Sequence, residues 1–185
     1  LLGRGGGANA FAVFPCRPFT APAGVAKYRP GFYVPGAALW RRTEFNMTMT
    51  VDELVESFEF FDDWEDRYAY VIDLGKKLPP MPEAEMVEEN KVRGCMSQVW
   101  LVCEKDEAAN PPVLRFRANS DAFIVKGLIA ILLELFDGQT PAYITETDAI
   151  DVMGRIGLDQ HLSPNRRNGL VAMVERIKSF AAQAA

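Results

Sequence analysis

Histidine is nearly absent from this chain of 185 residues, which has one, and cysteine is scarce, with three. Neither C-x-x-C nor H-E-x-x-H occurs, which excludes the usual dedicated zinc sites. Three cysteines cannot build a disulfide framework at this length, and an odd count leaves one thiol over. No Gly-x-x-x-x-Gly-Lys phosphate loop is present, and Gly5-Gly6-Gly7 follows no strand, so no nucleotide fingerprint exists. Long apolar runs are also missing. The longest, from Ala122 to Phe136, carries Lys126 and Glu134, which excludes a spanning helix. A net charge of −5 lacks the basic field of a general nucleic-acid binder. What is present is 49% hydrophobic and 24% charged, enough for a real core. The expectation is a soluble, cytoplasmic protein with free thiols.

Composition divides the chain near Met47. Residues 1–46 carry six Arg and Lys against the lone Glu44, a net of +5, which leaves −10 for residues 47–185. The same leader holds seven of the 14 Gly and five of the 12 Pro, so no helix can run through it. It is read as an irregular segment outside the domain, with the protein beginning naturally at Met47 or Met49. It contains no Ser and no clean apolar stretch before a cleavage site, a poor match to transit and secretory signals. Organelle targeting by residues 1–46 is left open.

From Thr50 the pattern becomes regular. Thr50-Val51-Asp52-Glu53 is a capping box, followed by Leu54, Val55, Phe58 and Phe61 on one helical face. Asp62-Asp63 restarts a helix with apolar Trp64, Tyr68, Val71 and Ile72, and Gly75 is its expected stop. Residues 90–93 and 97–103 read as two short strands around a tip at Gly94-Cys95-Met96, and 113–118 as a third. Ser120 is expected to cap a helix from Asp121 to Phe136 that is apolar nearly all round, the buried centre of the domain. A short helix at 148–156 follows. Ser163-Pro164 then opens the last one, with Leu170, Met173, Val174, Ile177 and Phe180 facing the core. Helices, strands, helices: the fold class is α+β, with a small, mainly antiparallel sheet packed against helices over residues 47–185.

The cysteines differ in setting. Cys16 falls in the leader. Cys103 shares a strand face with Val99 and Leu101 and reads as a small core residue. Cys95, after Gly94 at a tip between strands, can be presented to another protein. A nucleophilic thiol needs help to ionise, and Lys91, Arg93 and tip amides are near in sequence. The single histidine, His161, precedes a helix start, where a structural role is the simpler reading than a base for Cys95.

The run Asn90-Lys91-Val92-Arg93-Gly94-Cys95-Met96-Ser97-Gln98-Val99-Trp100 resembles the SufE family, sulfur-acceptor proteins of iron–sulfur cluster assembly. Trp64-Glu65-x-Arg67-Tyr68, Ser120-Asp121-Ala122 with Ile124-Val125-Lys126-Gly127, and His161-Leu162-Ser163-Pro164-x-Arg166 with Gly169-Leu170 extend the resemblance over residues from about 50 to 180. The resemblance implies a fold shared with the U-type cluster scaffolds and Cys95 as the acceptor thiol. It implies a SufS-like cysteine desulfurase as partner, with pyridoxal phosphate on that partner and no cofactor here. A downstream iron–sulfur scaffold would receive the sulfur, and weak self-association is left open. By the same match Gly94, Ser97, Asp121, Arg166 and His161 are candidates for shaping the loop or the docking surface, with Gln98 and Trp100 as packing. The protein would be an accessory to the desulfurase rather than a stand-alone enzyme. Two alternatives on the same fold are a cluster scaffold, which needs about three cysteines and a further ligand to converge, and a thiol redox protein, which needs a resolving cysteine.

Overall fold

A computed structural model describes residues 17–18 and 50–185. The glycine run at 5–7, Cys16, and the start at Met47 or Met49 lie outside the described residues. First in chain order is β1 (Arg17–Pro18), which pairs in parallel with a later strand. This short pairing departs from the irregular leader that the composition predicts. Two residues rich in neither period nor β-branching leave no signal that a sequence window can detect.

Thr50 opens α1 (Val51–Glu59) with the anticipated reciprocal cap: its hydroxyl accepts from Glu53 N–H, and the Glu53 carboxylate accepts from Thr50 N–H at 2.7 Å. Leu54 and Phe58 are driven into the core. Asp63 accepts from Asp66 N–H and starts α2 (Trp64–Lys76). The proline-rich connection then passes through two 3₁₀ turns, Glu83–Glu85 and Glu88–Asn90. It is fastened to the sheet by Arg117, whose guanidinium forks onto Glu85 at 2.8 and 2.9 Å and reaches Glu104 at 2.6 Å. These carboxylates hold the Arg117 pKa above its ordinary value.

The sheet is built on β2 (Val99–Asp106) and β3 (Val113–Ser120), antiparallel with Val99 opposite Ser120 and Cys103 opposite Phe116. With β1 its order is β1-β2-β3. No strand forms at 90–93: Asn90 closes a 3₁₀ turn, its side chain donating to the Glu85 carbonyl, and only Lys91 bridges to Trp100. The free edge of β3 is covered after the next helix, where Asp137 accepts from Phe116 N–H and Gly138 donates to the Leu114 carbonyl.

That next helix is α3 (Phe123–Phe136), with twelve of its fourteen residues buried, so it forms the centre as its composition requires. Ser120 does not cap it. Ser120 ends β3 instead, its hydroxyl donating to the Gln98 carbonyl at 2.7 Å, and α3 begins two residues later than expected. The helices α4 (Pro141–Glu146), α5 (Ala149–Arg155), α6 (Leu158–His161) and α7 (Pro164–Ala184) complete the chain. Pro141, read as a stop, is the first residue of α4 behind a Thr140 cap. Ser163 precedes α7 without a side-chain capping bond; Pro164 alone marks the start.

Two sequence readings are corrected by packing. Gly75 does not end α2 but sits inside it, where α2 crosses α3: a Cβ there would lie 2.6 Å from Gly127 N. A Cβ on Gly127 would collide with the Val71 carbonyl oxygen and side chain. Cys103 is buried in the core as expected, at 2% exposure, yet it is disulfide-bonded rather than a free thiol. Strand alternation reports which face a residue takes, not its oxidation state.

The crossing gives a test of sign. Alanine in place of an unconstrained helical glycine stabilises by up to about 1 kcal/mol. Gly127→Ala is expected to destabilise by about 1–3 kcal/mol, because Val71 is held by the core on its other side. Thermal unfolding followed by circular dichroism checks it; an unchanged or raised Tm would contradict this account of the crossing.

Candidate functional site

Cys95 sits in the loop that joins the 3₁₀ turns to β2. Both ends of that loop are pinned. Val92 N–H donates to the Val99 carbonyl at 2.8 Å, closing the neck. On the far side Gln98 N–H donates to Asp121 Oδ1 at 3.0 Å, while the Gln98 carbonyl accepts from Asp121 N–H and the Ser120 hydroxyl. Residues 93–97 are therefore a short arch on fixed footings. Gly94 supplies its turn with φ of +92°, a conformation that a side chain resists.

The arch folds back against α7. The Cys95 thiol donates to the Gly169 carbonyl at 3.3 Å and packs, half-buried, on the edge of the core. Gly169 is what allows this approach, since a Cβ there would stand 2.9 Å from Sγ. Burial among apolar groups pushes the Cys95 pKa up from the usual thiol range. The resting thiol is thus protonated near neutrality, and its contribution to stability has a definite direction. It is complete below the ordinary thiol pKa and is lost as pH rises towards the higher folded value.

Among the described residues Cys95 is the free cysteine. The cations expected to ionise it are engaged elsewhere: Arg93 pairs with Glu88 at 2.7 Å, and Lys91 lies 3.6 Å from the same carboxylate. This corrects the expectation that nearby cations ionise the thiol. Desolvation prevails because no cation is within contact of the sulfur. His161 stacks on Trp64, ring centroids 3.4 Å apart, which is the structural role. Arg166 donates to the Tyr68 hydroxyl at 2.7 Å. It lies one turn before Gly169 on α7, close to the thiol's neighbour but not in contact with the thiol. Asp121 is a footing of the loop, and Ser97 lies within the arch. Sequence reasoning noticed Gly169 only as part of a pattern. The available signal was a glycine inside a helical apolar stripe, which marks a close approach. Cys95, Cys103 and His161, the three potential cluster ligands, are each committed separately: to Gly169, to a disulfide and to Trp64.

Residues 52–181 match the SufE family profile, described as an Fe-S metabolism associated domain. The chain belongs to the SufE family. An uncharacterized SufE-like protein of Rhizobium meliloti (strain 1021) is 53% identical over 132 residues, 71% of this chain and 94% of the relative. A second, from Rhizobium etli, is 46% identical over 132 residues, covering 71% of this chain and 89% of the relative. Among solved structures, the solution structure of a hypothetical protein from Thermus thermophilus matches with a TM-score of 0.58 and 24% identity. It covers 72% of this chain and 94% of the other, a likeness of fold. The α+β fold and the family expected from the sequence both hold.

The geometry of the SufE-family loop predicts an unlatching variant. Gly169→Ala places a methyl against Sγ and should expel the thiol into water, lowering its pKa towards the ordinary range. Each unit of that fall gives about tenfold more thiolate at neutral pH. Alkylation of Cys95, followed by mass spectrometry from pH 6 to 10 (about the range needed to bracket the ordinary thiol pKa), should be faster with its inflection moved down. An unchanged profile would mean that α7 does not hold the thiol.

Proposed function

We propose that this SufE-family protein is a sulfur acceptor that carries a persulfide on Cys95 between a cysteine desulfurase and iron–sulfur cluster assembly. The observation that carries this reading is the placement of Cys95: a free thiol on a pinned arch, held back by one weak S–H···O contact to Gly169. Such a thiol is quiet at rest and can be delivered to a partner by a small movement.

The chemistry is sulfur exchange. Cys95 leaves Gly169, loses its proton to solvent or to the partner, and its thiolate attacks the outer sulfur of the donor's cysteine persulfide. A new S–S bond forms on Cys95 as the donor's S–S bond breaks, and the donor cysteine departs as thiolate. No oxidant or reductant is consumed. The desulfurase makes the donor persulfide from L-cysteine with its own pyridoxal phosphate, so no cofactor is required on this chain. Asp121 keeps the loop's far footing in place while residues 93–97 move. Arg166 and Tyr68 fix the N-terminal end of α7, against which the thiol is parked. In this scheme the protein is an accessory to the desulfurase, with the scaffold that builds the cluster as recipient.

The cluster-scaffold alternative loses support from the separate engagement of Cys95, Cys103 and His161. The redox alternative would need a resolving thiol, and Cys103 is already in a disulfide.

Intact mass after incubation with a cysteine desulfurase and L-cysteine tests the proposal. The wild-type protein is expected to gain the mass of sulfur in a form removed by reductant, and Cys95→Ser to gain none while melting as before. Reducible sulfur on the Cys95→Ser variant would overturn the assignment.

A further inference from the structure

We propose that Met96 and Phe123 together form an apolar contact pad that seats in an apolar recess at the mouth of the sulfur donor's active site. This rests on the sulfur-acceptor reading of Cys95. The two residues come from different elements but belong to one place. The antiparallel register that sets Val99 opposite Ser120 continues through the paired backbones of Gln98 and Asp121. Carried two residues further, the same register sets Met96 opposite Phe123, at the footing of the arch that bears the thiol.

Both side chains are turned to water in a way that folding does not explain. Met96 is 80% exposed and Phe123 69%, whereas the twelve buried residues of α3 all follow Phe123 in sequence. The first position of an otherwise buried helix is thus occupied by a large aromatic side chain facing outwards. Exposed apolar groups clustered beside a reactive atom mark a contact surface. The basic residues next to the thiol do not offer an equivalent handle, because Arg93 and Lys91 share Glu88.

The partner's chemistry follows from the reaction. To form a bond, Cys95 Sγ has to approach within contact distance of a sulfur on another protein. Its immediate chain neighbour Met96 and the facing Phe123 must then be covered by the surface around that sulfur. A polar or wet surface there would gain nothing from covering them. An apolar recess removes them from water and excludes solvent from the exchanging sulfurs. Aromatic and Met side chains in such positions commonly act as anchors. The pad would also explain how a loop with a single weak latch is drawn off α7: the interface that forms around Met96 competes with the thiol's own contact to Gly169.

The test uses the full chain, a SufS-type cysteine desulfurase with L-cysteine, and, separately, inorganic polysulfide as a sulfur source that requires no docking. The double variant Met96→Ser, Phe123→Ser is expected to melt as wild type and to take sulfur from polysulfide at the wild-type rate. Its half-saturating concentration with the desulfurase should rise on the order of tenfold or more, the size of effect that truncating an interface anchor brings. The conservative pair Met96→Leu, Phe123→Leu should stay close to wild type. An unchanged half-saturating concentration for the serine pair would overturn the pad. So would an equal loss with polysulfide, which would make the two residues part of the loop's own architecture. Failure of the underlying reading is distinguishable: wild-type protein would then take no sulfur from the desulfurase at any concentration, removing both proposals together.

Discussion

A helix that is apolar nearly all round has to be covered on every side, and α3 imposes that demand on the rest of the molecule. Each Leu, Ile or Phe it buries is worth roughly 1.5–3 kcal/mol relative to exposure, so no arrangement that leaves a face open competes. The sheet covers one side, with Val99, Leu101, Phe116 and Ala118 turned inward. On another side α2 is drawn in until its backbone meets that of α3 at Gly75 and Gly127. Met173, Ile177 and Phe180 of α7 add to the same core. The order of elements along the chain serves this enclosure.

The thiol site is a by-product of that enclosure. Because α3 is buried, α7 has to lie close to the sheet end from which the Cys95 loop emerges. The loop's two footings belong to the sheet, through Val92–Val99 and Gln98–Asp121, whereas the surface it rests on belongs to α7. A reactive group is thereby shared between a rigid frame and a neighbouring helix, joined by one sulfur hydrogen bond. Desolvation and accessibility oppose each other here. The contact that keeps the thiol protonated is also the one that must break before the thiolate can react.

Local signals were readable where the physics is local. The capping box at Thr50–Glu53, the strand alternation at Leu114 and Phe116, and the proline before α7 each depend on residues within a few positions. Readings failed where a residue had two permissible uses. Gly75 could stop a helix or admit another backbone, Ser120 could cap α3 or finish β3, and Pro141 could end a segment or begin α4. In each case the alternatives have similar local energies, and a contact from a distant part of the chain selects between them. The disulfide at Cys103 is an extreme instance, since alternation along β2 gives the same reading for a thiol and a cystine half.

By itself the sequence determined the fold class, the buried central helix, the SufE family and the single loop cysteine set off from the others. These follow from hydrophobic periodicity, turn residues and a pattern of residues kept in a fixed order. Only the tertiary structure decided that Lys91 and Arg93 serve Glu88 instead of the thiol, that His161 stacks on Trp64, and that Cys95 rests against Gly169. It also decided that Met96 and Phe123 share one exposed patch. The reason is distance along the chain: Cys95 and Gly169 are 74 residues apart, and no window of local preference spans such a separation. What joins them is the need to enclose α3, a property of the whole chain at once.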